Sequence, residues 1–189
     1  MEKFLFFLRT NSAKLSKKMT RHEPFSFRSS TELLQKGKEL GWELPFQETI
    51  APLFEGILLG SQTIPNRLAV QPMEGFDAEP DGSPSELTFR RYQRYAEGGS
   101  GIIWFEATSV IPEGRSNPHQ LLLDPRNLTP FQRLAEQTRS SARRFFGESH
   151  EIFLVLQLTH SGRYSRPEGK PLPQIAGFNA LLNRAEEEV

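Results

Sequence analysis

The residues whose types suit chemistry fall in three short clusters, Gln71 to Asp77, Glu106 to Ser109 and Gln157 to Arg163, each directly after an apolar run. Gln157 is the sharpest of them, one amide inside Ile152-Phe153-Leu154-Val155-Leu156-Gln157-Leu158. A buried amide without partners costs about 1–3 kcal/mol. An amide offers a donor and an acceptor together. Gln157 therefore either bonds neighbouring strands or reads a planar ligand edge with the complementary pair. Arg163 suits an anionic group or is a solvated loop residue. Glu106 is expected to sit in a structural ion pair, with Arg67 or Arg115 as partner. His22, His119 and His150 have no metal-ligand spacing, and no metal site is expected. The chain has no cysteine, which excludes disulfides, iron–sulfur clusters, thiolate zinc sites and a cysteine nucleophile within these residues. No G-x-G-x-x-G or P-loop follows any strand.

The elements that must position these clusters alternate. Ser29-Ser30-Thr31-Glu32 reads as a capping box opening a helix from about Ser30 to Trp42, closed by Pro45. Leu53–Gly60 and Gln62–Pro65 read as a small hairpin around a glycine turn. Arg67–Pro72 is a short strand, and the loop Met73–Gly82 follows. Ser83-Pro84-Ser85-Glu86 predicts a helix capped by Ser83, with Pro84 first and Glu86 third. It runs to about Glu97, where Gly98-Gly99 ends it. Gly101–Ala107 and Glu151–Leu158 read as strands buried on both faces. Between them come a long loop from Thr108 to about Leu128 and a helix from Thr129-Pro130 to Gly147, with Phe131, Leu134, Ala135, Ala142 and Phe145 on one side. Strand, helix, strand, helix, strand is a parallel α/β pattern. The polar clusters all lie after strand C-termini, the edge that carries the site in barrels and open sheets alike.

Composition narrows the function classes. The 189 residues balance 23 Lys+Arg against 23 Asp+Glu, which argues against a nucleic-acid partner. No apolar run approaches the roughly 18 residues of a membrane span, so no membrane partner and a cytoplasmic location are expected. Residues 1–28 are basic: Lys3, Arg9, Lys14, Lys17, Lys18, Arg21 and Arg28 stand against Glu2 and Glu23. The apolar stretch Phe4–Leu8 is shorter than the roughly 7–15 residues of a secretory core. An organelle transit peptide stays open, as does Met19 as the true start, but a disordered leader is the expectation, and deleting residues 1–22 is expected to leave the melting temperature unchanged. Four segments are expected: the leader over 1–28, an N-terminal helix and hairpin over 29–65, the main α/β part over 66–173, and a tail over 174–189.

Pro65-Asn66-Arg67 with Gln71-Pro72-Met73-Glu74-Gly75, then Phe105-Glu106-Ala107-Thr108-Ser109-Val110 with Pro112-Glu113-Gly114-Arg115, then Gln157-Leu158-Thr159-His160-Ser161-Gly162-Arg163-Tyr164 resemble the old yellow enzyme family. The last stretch resembles its 2,4-dienoyl-CoA reductase-like branch. The resemblance covers roughly Leu53 to Pro173. It implies FMN as cofactor, NAD(P)H as co-substrate and a small-molecule substrate: hydride passes from NAD(P)H through FMN to the β-carbon of an activated alkene. It implies a TIM (β/α)8 barrel, of which about the first three βα units are present. Such a barrel takes about 250 residues, so the chain reads as the N-terminal part of an enzyme. A half-barrel remnant that binds no flavin is the alternative.

The resemblance also assigns residues. Main-chain groups of Pro72 and Met73 would face the flavin ring; otherwise Pro72 only ends a strand. Glu74 stands where many relatives carry Thr, Ser or Cys; a carboxylate there either lowers the flavin's reduction potential or points away. Ala107 would let the pyrimidine edge approach the backbone, or is a small residue in a barrel layer. Gln157 would pair with the pyrimidine edge. Phe76 lies where some relatives have a tyrosine near the substrate; without a hydroxyl it has no acid role. His160 contacts flavin or substrate, or only caps a strand end, and Arg163 is the candidate for an anionic substrate group. No catalytic residue is assigned.

Overall fold

The computed structural model describes residues 24–177 and 179–182. The leader expected over 1–28 lies outside the described residues as far as residue 23, and so do residues 183–189 of the expected tail. Two compact units divide between Glu48 and Thr49.

The first unit contains helix α1, Ser30–Glu39. The Ser29 hydroxyl accepts from the amide of Glu32 at 3.2 Å, as expected of the cap. The Glu32 carboxylate accepts from the amide of Arg28 at 2.9 Å, one residue before the position a capping box uses. The helix also stops short of Trp42, and Pro45 is not what ends it. Gly41 adopts a left-handed φ of 71°, and the amides of Gly41 and Trp42 return to the carbonyls of Lys38 and Gly37 at 3.0 and 2.8 Å. This is a Schellman close, which favours glycine because it has no Cβ.

In the second unit, β1 (Ile57–Leu59) and β2 (Gln62–Ile64) form the expected antiparallel hairpin. Strand β3 is only Ala69–Val70. Helix α2 spans Glu86–Glu97, β4 Ile102–Ser109, α3 Leu128–Phe146 and β5 Phe153–Thr159. The sheet order is β3-β4-β5, with both pairings parallel. Asn66 sets the start of the sheet: buried, it donates to the Gly99 carbonyl at 2.6 Å and accepts from the amides of Leu68 and Gly101 at 3.0 and 2.8 Å.

The core is built on one face of the sheet. Phe89, Tyr92 and Ala96 of α2 and Leu134 and Ala142 of α3 pack on Ile103 and Phe105 of β4, with Val70, Leu154 and Leu156 at its margin. The opposite face is open enough that Trp104 is 39% exposed, and β5 is half-buried along most of its length. Burial on both faces, expected of these two strands, therefore fails at Trp104 and along β5, because the helices cover one side only. Phe145, expected on the buried side of α3, is exposed; it lies in the last turn, where the Arg144 guanidinium stands over its ring.

The cap of α2 also differs. Ser85 takes the N-cap position and exchanges hydrogen bonds with Thr88, amide to hydroxyl, at 3.3 and 3.2 Å. Ser83 instead closes a turn on Asp81, its amide and hydroxyl both donating to that carboxylate at 2.9 Å. Among the described residues no helix is long and apolar enough to cross a membrane.

Candidate functional site

All three polar clusters lie at one edge of the sheet, beyond the C-terminal ends of parallel strands. That edge carries an irregularity. Phe105 pairs with Leu156 and Thr108 with Leu158, so Glu106 and Ala107 together stand opposite the single residue Gln157. This is a β-bulge, which re-aims side chains and takes an amide out of the ladder. The freed amide of Glu106 donates to the Tyr92 hydroxyl at 2.7 Å, and that hydroxyl lies 3.2 Å from Glu106 Oε1.

Glu106 is almost fully buried, and its partner is neither Arg67 nor Arg115. Arg91 of α2 pairs with it and with Asp77. The Glu106 carboxylate also accepts from the amide of Gly75 at 2.7 Å. Burial alone would lower the Arg91 guanidinium, but the two carboxylates outweigh it and hold Arg91 above its ordinary value. Burial would likewise raise Asp77, and the Arg91 and Thr88 hydrogen bonds reverse this to hold it below the usual range. Tyr92 is pushed up, first by burial and then by the Glu106 charge. Arg67 pairs with Glu55 at 3.3 Å on the surface. Buried Arg115 donates to the carbonyls of Pro80, Pro118 and Gln120 at 3.2, 2.5 and 2.6 Å. The Arg91 pairing has no signal in local spacing, since it depends on how α2 lies across β4.

The long loop after β4 folds back on the strand. Leu121 accepts from the Ser109 amide at 2.8 Å, and Ser109 accepts from the Leu123 amide at 2.9 Å. The loop after β3 is bonded to it by Ala78 N–H to His119 O at 2.9 Å and Leu122 N–H to Gly82 O at 3.0 Å. Gln120, fully buried, donates from Nε2 to the Ala107 carbonyl at 3.0 Å and to Glu74 Oε1 at 3.2 Å. Ser116 donates to Glu74 Oε2 at 2.8 Å. Burial, set against the Ser116 bond and aided by the Glu106 charge, holds Glu74 above the usual carboxylate range.

The structure thus joins Glu74 to Ala107 through Gln120, and sets Gln157 across the bulge from Ala107. Leu154 and Leu156 pack on the helix side, so strand alternation puts Gln157 on the opposite face with Trp104. The half-buried Gln157 amide makes no side-chain hydrogen bond among the described residues. Pro72 is half-buried and Met73 is exposed. Phe76 is exposed with a left-handed φ of 52° and shares a surface dip with Asp77, Ser85 and His119. His160 is exposed; its Nδ1 accepts from the Gly162 amide at 2.9 Å, which leaves the proton of a neutral ring on Nε2. A Cβ on Gly114 would lie 3.0 Å from the His160 ring and 3.0 Å from Ser109 Oγ, so this glycine admits the close approach of both. Arg163 lies half-buried in the one-turn 3₁₀ helix Gly162–Tyr164. Sequence reasoning missed Arg91, Tyr92, Ser116 and Gln120.

No family model matches the chain. It is 32% identical over 117 residues to a protein named NADH oxidase from Thermoanaerobacter brockii, covering 61% of this chain and 17% of that one. It is 30% identical over 119 residues to an NADPH dehydrogenase of Bacillus pumilus, covering 62% of this chain and 32% of that one. Among solved structures it resembles an old yellow enzyme from a Pichia species, with a TM-score of 0.51 and 21% identity over 60% of this chain and 28% of that one. A 2-naphthoyl-CoA reductase gives a TM-score of 0.54 at 18% identity, over 63% of this chain and 17% of that one. The chain spans about a third or less of the length of these relatives.

Proposed function

We propose that the matched segment belongs to the old yellow enzyme family and that it supplies the first three parallel strands of a TIM barrel, with the two helices between them, and one side of an FMN site. The parent activity is hydride transfer from NAD(P)H through FMN to an activated alkene. The dienoyl-CoA reductase-like branch rests on the His160–Tyr164 resemblance alone.

The observation that carries this reading is the amide of Gln157. It is half-buried, has no side-chain partner among the described residues, and stands opposite the bulge that contains Ala107. An unpaired amide on a strand is a cost unless something pairs with it. A flavin pyrimidine ring presents a donor and an acceptor side by side, which suits both its groups. The residues present fit that group: Gln157 would pair with the pyrimidine edge, Ala107 would give the ring room, and the main chain at Pro72 and Met73 would wall one side. The bound flavin would supply the redox chemistry; the protein orients it and excludes water. His160 and Arg163 follow β5 on the same edge and are the candidates for substrate contact, with Phe76 on the loop after β3.

The test is a chimera in which residues 53–173 replace the matching segment of the Bacillus pumilus NADPH dehydrogenase. A soluble yellow protein whose flavin band is bleached by NADPH is the expected result. A chimera that melts cooperatively yet carries no flavin would overturn the reading.

A further inference from the structure

The flavin reading leaves Gln120 unused, yet its side chain ties the end of β4 to the loop after β3. It is fully buried. Its Oε1 accepts from the Ser116 amide at 2.6 Å, and its Nε2 donates to Ala107 O and Glu74 Oε1 at 3.0 and 3.2 Å. Its backbone is fixed as well: its carbonyl accepts from Arg115 and its amide donates to Asn117 O at 3.2 Å. With Ser116 on Oε2, both oxygens of Glu74 are held from one loop. A buried amide paired at both ends locks its own rotamer and those of its partners.

We propose that Gln120 is the positioning residue of this site and that Glu74 is the ionisable carboxyl it holds. One amide sets the carbonyl of Ala107 and orients the carboxyl that follows Met73. The hold on Glu74 stands on the geometry; what the carboxyl faces rests on the flavin reading.

The groups around Glu74 give the sign of its response. Ser116 and Gln120 are neutral donors to the carboxylate. Glu106 of β4 is a like charge, itself paired with Arg91 of α2, which also holds Asp77. The Arg115 guanidinium lies behind the Gln120 carbonyl. Burial raises Glu74 and Glu106 adds to this, while the Ser116 bond opposes them. Hydrogen bonds to a carboxylate favour its charged form, so removing either donor must raise the titration midpoint further.

The experiment is a pH titration of the chimera, stripped of flavin and carrying 13C-labelled glutamate side chains, followed by NMR, with Glu74→Gln identifying the signal. Ser116→Ala and Gln120→Met are each expected to move the Glu74 midpoint upward. Ser116→Ala leaves the buried amide in place and keeps the test open if Gln120→Met fails to fold. A midpoint in the ordinary glutamate range that neither variant moves would overturn the hold. In the chimera, the flavin's reduction potential is the second readout. A carboxylate charge opposes added electrons, so Glu74→Gln is expected to raise the potential at pH above the Glu74 midpoint and leave it unchanged below. A yellow chimera whose potential has the same pH profile with and without Glu74 overturns this inference and leaves the flavin reading standing. A folded, colourless chimera overturns the flavin reading, while the titration still decides the hold.

Discussion

Replacing Gln157 by leucine removes two hydrogen-bonding groups and almost no volume, so it separates binding from packing. Each lost bond is worth about 0.5–1.5 kcal/mol, and two of them lower affinity by roughly one to two powers of ten. In the chimera, Gln157→Leu is therefore expected to keep the melting temperature and weaken FMN, measured by fluorescence titration. Unchanged affinity with lost stability would make Gln157 a structural amide. Tyr92→Phe asks a different question of the same bulge. The hydroxyl accepts the Glu106 amide that has left the ladder, and it is 1% exposed. Its loss leaves a buried N–H unpaired, at about 1–3 kcal/mol, to be read from urea unfolding. Glu74 has a pH signature of its own. Its folded-state value lies above the usual 4.5, so between 4.5 and that value the folded chain binds more protons than the unfolded one. Stability then falls as pH rises through this window. Glu74→Gln is expected to abolish that fall; a slope unchanged by the substitution would show that another group causes it.

At the scale of elements, Ser85→Ala is expected to cost about 0.5–2 kcal/mol by loss of the cap on α2, measured by chemical denaturation. Ser83→Ala should cost α2 no cap, since its hydroxyl bonds Asp81. Both serines precede the same helix and satisfy the same local rule. What chooses between them is the turn Asp81 builds with Ser83 and the bond from Thr88 to Asp77 at 2.8 Å, and neither shows in spacing. The alternation of strands and helices was legible because each element carries its own apolar period and its own stop, as at Gly98-Gly99. The C-terminal edge was legible too, since polar residues cluster after each apolar run. The bulge was not. A run such as Ile102–Ser109 looks continuous in sequence, and the extra residue shows only once β5 is laid beside it. Arg91 escaped for a related reason: α2 must first pack on β4 before Arg91 meets Glu106, fifteen positions away.

At the scale of the whole molecule, the sheet has two unequal faces and an unpaired outer edge on β5 among the described residues. The helices cover one face, while Trp104 on the other is 39% exposed. Parallel strands are normally covered on both faces, and an uncovered edge is a template for pairing with other chains. The 189-residue chain by itself is therefore expected to self-associate, with an apparent mass by light scattering that grows with concentration. The same chain is expected to bind no FMN at micromolar concentration. Micromolar affinity requires about 8 kcal/mol. On the flavin reading the amide of Gln157 would contribute only about 1–3 kcal/mol through its two bonds, and the contacts from Ala107 and Pro72–Met73 would line one side of a ring that needs both. In TIM barrels a phosphate-binding site is frequently formed by the loops after the seventh and eighth strands, whereas three parallel strands are described here. Saturable FMN binding to the isolated chain, seen as quenching of flavin fluorescence at micromolar protein, would mean that these three strands hold a far larger share of the site than the edge of one ring.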